Sequence, residues 1–219
     1  MNGSSTSSIP AIGRKFVNDP FLTDTLRMTE KLIISIQSFI DLTTKEAACI
    51  NQLFKKKEIK KGDFFLADGQ VCRQVGFIIK GLMRYYINRD GEEKTYAFAQ
   101  ENDFVCNYES FLPQSPSTKI IQALEDCELL LISSADLQVF YKSIAQGERF
   151  GRLVIGQVFI QLLRDLSSFY TDSPEYRYKK FIKEHPDLQQ RISQYHIASY
   201  VGVKPQSLSR IRKRISNQK

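Results

Sequence analysis

Gln194-Tyr195-His196-Ile197-Ala198-Ser199-Tyr200-Val201-Gly202-Val203-Lys204-Pro205-Gln206-Ser207-Leu208-Ser209-Arg210-Ile211-Arg212-Lys213-Arg214-Ile215 reads as two short helices joined by a tight turn. Helices that cross closely need a small residue at the contact, and Ala198 supplies it. The turn needs a residue tolerant of positive φ, and Gly202 stands there. Ile197, Val201, Val203, Leu208 and Ile211 are spaced to lock the pair together. Pro205 falls in the first turn of the second helix, where its missing N–H costs little. The pattern predicts a helix-turn-helix with Gln206, Ser209, Arg210 and Lys213 on the free face.

A second helix of this kind places its N-terminal residues at base edges in the major groove of DNA. Gln206, Ser209 and Arg210 are therefore the candidate base-reading residues. Arg210 can pair with guanine through two N–H groups, whereas Gln206 favours adenine. Ser207, Arg212, Lys213 and Arg214 suit phosphates, which set register and affinity rather than sequence. The charge distribution agrees. The net charge is +7, yet residues 173–219 hold eleven Lys/Arg against three Asp/Glu. The rest of the chain is close to neutral, so the basic excess lies in its last fifth. A positive region this localised is the footprint of a polyanion partner.

Upstream, Ser173-Pro174 suits a helix N-cap followed by proline at the first helical position, and marks a hinge between domains. Before it a long helix is expected from about Glu148 to Phe169. On it Ile155, Phe159, Leu162, Leu166 and Phe169 recur at alternating intervals of four and three, a heptad-like seam. Phe150, Val154, Val158 and Leu163 form a second stripe on other faces. Apolar groups spread this widely imply one face on the body of the protein and a seam against a second copy. A shorter helix is expected over Ala135–Ile144, starting near Ser133-Ser134.

Between Glu58 and Ile132 the period shortens. Val75–Ile79, Met83–Ile87, Thr95–Phe98, Ile120–Leu124 and Glu128–Ile132 alternate with turns at Gly62, Gly69, Gly81 and Gly91. Asn88-Arg89-Asp90-Gly91 is a tight-hairpin signal. Strands at this spacing suggest a small antiparallel roll. Lys31–Phe39 and Thr43–Phe54 have helical spacing, and Thr43 with Glu46 resembles a capping box. The expected organisation is a loosely ordered tail at 1–27, a roll at 28–133, a helical connector and dimerisation helix at 134–172, and a helix-turn-helix domain at 173–219.

Ile197-Ala198-Ser199-Tyr200-Val201-Gly202-Val203, followed by Gln206-Ser207-Leu208-Ser209-Arg210, resembles the DNA-binding end of the cyclic AMP receptor protein/fumarate–nitrate regulator (Crp/Fnr) superfamily. Lys61-Gly62, Asp68-Gly69, Ile78-Ile79-Lys80-Gly81, Asp90-Gly91-Glu92 and Glu101-Asn102-Asp103-Phe104 fall in the order of that family's cyclic-nucleotide-binding-type roll. The resemblance implies an α+β chain: a jelly-roll-like double-stranded β-helix, a long dimerisation helix and a winged-helix-like helix-turn-helix. With little chain after Ile215, the wing is expected to be reduced. It also implies a homodimer on a pseudo-palindromic operator in double-stranded DNA. An unidentified small-molecule effector and a contact with RNA polymerase are left open.

Nucleotide-binding members carry a Gly-Glu pair for the ribose and, about ten residues on, an Arg-Ser or Arg-Thr for the cyclic phosphate. Here Cys106-Asn107 and Ser117-Thr118 stand in those places. Hydroxyls do not replace the charge-assisted, two-pronged bond of an arginine. Asn107, Tyr108, Glu109, Ser110, Ser117, Thr118 and Lys119 are the candidate effector-pocket residues, with weak or absent cyclic AMP binding expected. Cys49, Cys72, Cys106 and Cys127 are scattered without metal-ligand spacing and read as reduced thiols; no metal or cofactor is expected. No run of apolar residues spans a bilayer, no secretion signal is visible, and no nucleophile–base grouping appears. A non-enzymatic cytoplasmic regulator without membrane association is the reading. The rival is a ligand-binding or protein-interaction module whose basic C-terminal region binds nucleic acid without sequence preference.

Overall fold

The computed structural model describes residues 20–217, with side chains from residue 28 onward. Helix α1 (Pro20–Gln37) places Met28, Leu32 and Ile36 four residues apart on one buried face. It starts upstream of Met28, so residues 20–27 are helical where a tail was expected; the rest of that tail lies outside the described residues. Helix α2 (Thr44–Leu53) opens with the anticipated capping box: Thr43 accepts from the Glu46 amide, and Glu46 accepts from the Thr43 amide at 2.8 Å. The second Glu46 oxygen accepts from the Ala145 amide, fastening α2 to a later segment.

Eight strands follow: β1 (Lys55–Ile59), β2 (Phe64–Leu66), β3 (Gln74–Lys80), β4 (Met83–Arg89), β5 (Glu92–Ala99), β6 (Phe104–Val105), β7 (Ile120–Ala123) and β8 (Cys127–Ser133). A one-turn helix, α3 (Tyr108–Phe111), separates β6 from β7. The strands form two antiparallel four-stranded sheets, ordered β1-β8-β3-β6 and β2-β7-β4-β5, the jelly-roll-like arrangement expected. Asp90 (φ 55°) and Gly91 (φ 82°) turn the β4–β5 hairpin with the paired positive angles of a tight connection.

Strands β3 and β8 are buried on both faces, which is why they read as unbroken apolar runs. Ile78, Leu129 and Leu131 fill the roll interior with Leu66, Met83, Val105 and Ile121. Phe77, Ile79, Leu130 and Ile132 point the other way and pack on Leu32, Ile36, Phe140 and Phe150. Those partners come from α1, from α4 (Ser134–Ser143) and from the start of α5 (Gly147–Thr171). Ser133 caps α4 through the Asp136 amide.

Helix α5 is divided along its length rather than by face. Phe150 is buried in the roll-side cluster and Val154 packs against it, whereas every residue from Gln157 to Arg164 is exposed. The second stripe therefore splits: its first two members serve the roll, while Val158 and Leu163 are exposed beside the seam.

Ser173 caps α6 (Pro174–Glu184), with Pro174 in its first turn. Then come α7 (Leu188–Arg191), α8 (Gln194–Val201) and α9 (Pro205–Ser216). Phe181, Leu188, Ile192, Ile197, Ala198, Val201, Leu208 and Ile211 form their core. Roll residues join it: Leu82 is buried there, with Phe98 and Leu124 alongside. Among the described residues no strand follows β8, so no β-hairpin wing is formed there. No described helix is long and apolar enough to cross a membrane.

Candidate nucleic-acid interface and effector region

The turn between α8 and α9 follows the expected chemistry. Gly202 has φ +79° and donates its N–H to the end of α8, and the Val203 amide donates to Ala198 O at 2.9 Å. A Cβ on Gly202 would also come within 3.0 Å of the Phe169 ring. Ala198 is fully buried at the helix crossing. On α9, Leu208 and Ile211 face inward, while Gln206, Ser207, Ser209, Arg210, Arg212, Lys213 and Arg214 are all exposed. Gln206, Ser209, Arg210 and Lys213 share one helical face by their three- and four-residue spacing. Arg214 differs from its neighbours: its Nε lies 3.1 Å from Glu175 on α6, so part of its charge is met within the chain.

Helix α8 faces the roll, and this contact was not foreseen. Arg84 in β4 is 2 % exposed. It donates to Glu93 (2.8 Å), Gln122 (2.9 Å) and His196 Nδ1 (2.8 Å), and its guanidinium stacks on Tyr86. Arginine has no acceptor, so His196 Nδ1 must accept and the ring is neutral. Burial, with the adjacent Arg84 charge, holds the His196 pKa below its ordinary value. Ser199 accepts from the Thr95 amide (2.8 Å) and donates to Glu93 O (3.0 Å). Arg191 grips Glu101 and Glu125, two roll carboxylates, with four N–H···O bonds of 2.7–3.0 Å. Arg177 donates to Val201 O at the end of α8 and to Phe169 O and Asp172 O at the end of α5. A charged residue inside the otherwise apolar Met83–Tyr86 run was the one sequence signal for this network.

The candidate effector residues gather around α3, but their polar groups are largely spent on one another. Asn107 and Ser117 are buried and joined by a 2.6 Å hydrogen bond. Ser117 Oγ also donates to Lys119 O and accepts from the Lys119 amide. Ser110, buried, accepts from the Cys72 amide and donates to Ser115 O. Lys119 pairs with Glu109 at the surface, and Thr118 is exposed. Tyr108 is half-buried and stacks on Phe111. Tyr85 accepts from the Cys106 amide at 3.2 Å, and burial raises its phenol pKa well above the usual range.

All four cysteines are free thiols, and the fold brings Cys72 and Cys106 to a sulfur–sulfur distance of 3.8 Å, a meeting their spacing in the sequence does not show. Their neighbourhood arises because β6 follows β3 in the sheet while Cys72 immediately precedes β3. Among the described residues no group of three or more His, Cys, Asp or Glu could hold a metal ion.

Residues 56–143 match the cyclic nucleotide-binding domain family. FixK2 from Bradyrhizobium japonicum is similar over 75 % of this chain and 85 % of its own, with TM-score 0.66 and 15 % identity. CLP from Xanthomonas campestris, a c-di-GMP-responsive global regulator, aligns over 80 % of this chain and 93 % of its own (TM-score 0.64, 16 % identity). A Eubacterium rectale protein assigned to the crp/fnr family of transcriptional regulators covers 81 % and 85 % respectively, with TM-score 0.63 and 19 % identity. At these identities the likeness establishes the fold. No curated protein matches the sequence itself.

Proposed function

We propose that the protein is a homodimeric transcription regulator of the Crp/Fnr type that reads a pseudo-palindromic operator with α9. The observation that carries this is α9 itself, apolar on its buried face and polar and basic on a face that none of the described residues covers. Base reading is assigned to Gln206, Ser209 and Arg210. Phosphate contact is assigned to Ser207, Arg212 and Lys213, with Arg214 contributing less because of Glu175. The exposed α5 residues Phe159, Leu162, Leu166 and Phe169, with Ile155 at their upstream end, supply the dimer seam. Two copies would then present two recognition helices to half-sites about one helical turn apart.

The roll is proposed not to bind cyclic AMP. No arginine stands at the phosphate position, and Asn107 and Ser117 satisfy each other there. Calorimetry with cyclic AMP should show no saturable heat. Selection from a random DNA pool at about 150 mM salt tests the main reading, because non-specific binding is strongly weakened by salt. A palindromic consensus is expected. Recovery of DNA without any consensus would instead favour a module that binds nucleic acid by charge alone.

A further inference from the structure

We infer that Cys72 and Cys106 form a redox-active dithiol beside the effector region, one that takes a two-electron oxidant of the hydroperoxide class and closes to a disulfide. The sulfurs lie 3.8 Å apart with no side chain between them in their mutual contact. A disulfide holds its sulfurs about 2.0 Å apart, so a small approach of the two segments forms the bond. This inference stands independently of how the protein binds DNA.

The two thiols are differentiated for the two halves of such a reaction. The hydrogen bond shared with Cys106, with the backbone of Asn107 and Gln74, outweighs burial to bring the Cys72 thiol down to about 7. Cys106 moves the other way: its hydrogen bond to Cys72 and its burial raise it far above the ordinary thiol range. Near neutral pH, Cys72 is therefore the nucleophile and Cys106 keeps the proton. Cys72 is buried and Cys106 is partly exposed, so the open side of the pair is that of Cys106. The remaining cysteines have no such arrangement. Cys127 is buried, with its thiol pushed up to about 11, and Cys49 packs beside the α1–α2 cluster.

The chemistry balances with hydrogen peroxide as oxidant. The Cys72 thiolate attacks one peroxide oxygen, the O–O bond breaks, and hydroxide leaves, becoming water with the proton the Cys72 thiol gave up; Cys72 is now a sulfenic acid. The Cys106 sulfur attacks that sulfur and releases its proton. The S–O bond breaks, the oxygen leaves as water, and a disulfide remains. Two thiols are oxidised by two electrons, and one peroxide is reduced to two waters.

Closure would act on the effector region through named bonds. The Cys72 amide donates to Ser110 in α3, and Gln114 just beyond α3 donates to Cys72 O. The Cys106 amide holds Tyr85, and Asn107, the next residue, begins α3. Drawing the sulfurs together therefore pulls on both ends of the segment that carries the pocket residues.

The test uses the full chain, treated with hydrogen peroxide at pH 7, then alkylated and mapped by mass spectrometry. The expected result is a Cys72–Cys106 cross-linked peptide and an intact mass lower by about 2 Da, both reversed by dithiothreitol, with Cys49 and Cys127 still alkylated. In Cys106→Ser, dimedone should trap a sulfenic acid on Cys72. Should Cys72 or Cys106 variants fail to fold, the double variant Cys49→Ser/Cys127→Ser retains the pair and must still give the cross-link. The inference is overturned if both thiols remain alkylatable after peroxide treatment. It is equally overturned if the cross-link joins another pair, or if either cysteine passes to sulfinic acid without linking.

Discussion

Arg210 and Arg214 carry the same charge on the same helix, yet their surroundings give them different tasks. Arg210 is exposed and pairs with no carboxylate among the described residues, while Arg214 lies against Glu175. Specificity should therefore follow the first and not the second. Arg210→Ala is expected to relax preference at one base pair in each half-site at a cost of roughly 1–3 kcal/mol there. Competition between consensus and single-substitution operators measures it; equal weakening on all sequences would remove Arg210 from base reading.

His196 shows how little of a residue's role its own position reveals. It lies in a helix predicted correctly, but its partner Arg84 stands 112 residues earlier. Arg84 and Glu93 are the charged groups facing it. Because folding lowers its pKa, the unfolded chain takes up the proton first as pH falls. The stability from this contact is complete above about 6.5, the ordinary value, and declines below it until the folded group also protonates. Urea midpoints measured between pH 8 and pH 5, values that bracket the about 6.5 of an unperturbed histidine, should fall on the acid side. His196→Gln should reduce that fall, since Gln does not titrate; an identical pH dependence in the variant would place the cause elsewhere.

At the scale of elements, α5 is the clearest case of one helix with two environments. Its first turns are held by Phe140, Phe150 and Tyr141, and beyond Gly156 it presents apolar side chains to solvent on several sides. The stretch of helix about half exposed at Phe159 and Leu162 is stabilised by its own backbone and little else until something covers it, while Phe169 at its end is met by Arg177. Replacing Leu162 and Leu166 by Glu should give monomers in sedimentation and abolish binding to a palindromic site, with little loss of stability in the roll. An unchanged dimer would show that association uses another surface.

The helix-turn-helix was legible because its constraints are local. Ala198, Gly202 and Pro205 each answer a demand set within a few residues, and strands β3, β4, β5, β7 and β8 were visible through burial pattern and turn glycines. Strand β1 was harder, since Lys55, Lys56 and Lys57 hide a strand whose register with β8 supplies its order. Helices α3 and α7 are single turns, too short for any period to declare itself. The candidate site divides in the same way. The free face of α9 could be read from spacing, but the Arg84 network, the Arg191 clamp and the Cys72–Cys106 contact join residues far apart in the chain. No local pattern encodes such meetings.

At the scale of the molecule, the helix-turn-helix is docked rather than tethered. Arg191 binds two roll carboxylates, Leu82 lends a side chain to the neighbouring core, and Phe98 meets both Phe181 and Tyr200. Ser173 thus marks a break in the helical pattern but not a clean boundary in the packing.

Ser199 has a consequence of another kind. Strand β5 is the last in its sheet, so the Thr95 N–H and Glu93 C=O point away from the ladder, and Ser199 alone answers both. A sheet margin with unmet donors and acceptors recruits other strands. The helix-turn-helix domain therefore doubles as a guard on the roll, keeping it from joining its own kind. A chain ending at residue 172, with Leu162 and Leu166 replaced by Glu to remove the α5 seam, should still associate in a concentration-dependent manner through β5, visible by light scattering and lessened by Thr95→Pro. If that chain stays monomeric at high concentration, the margin protects itself.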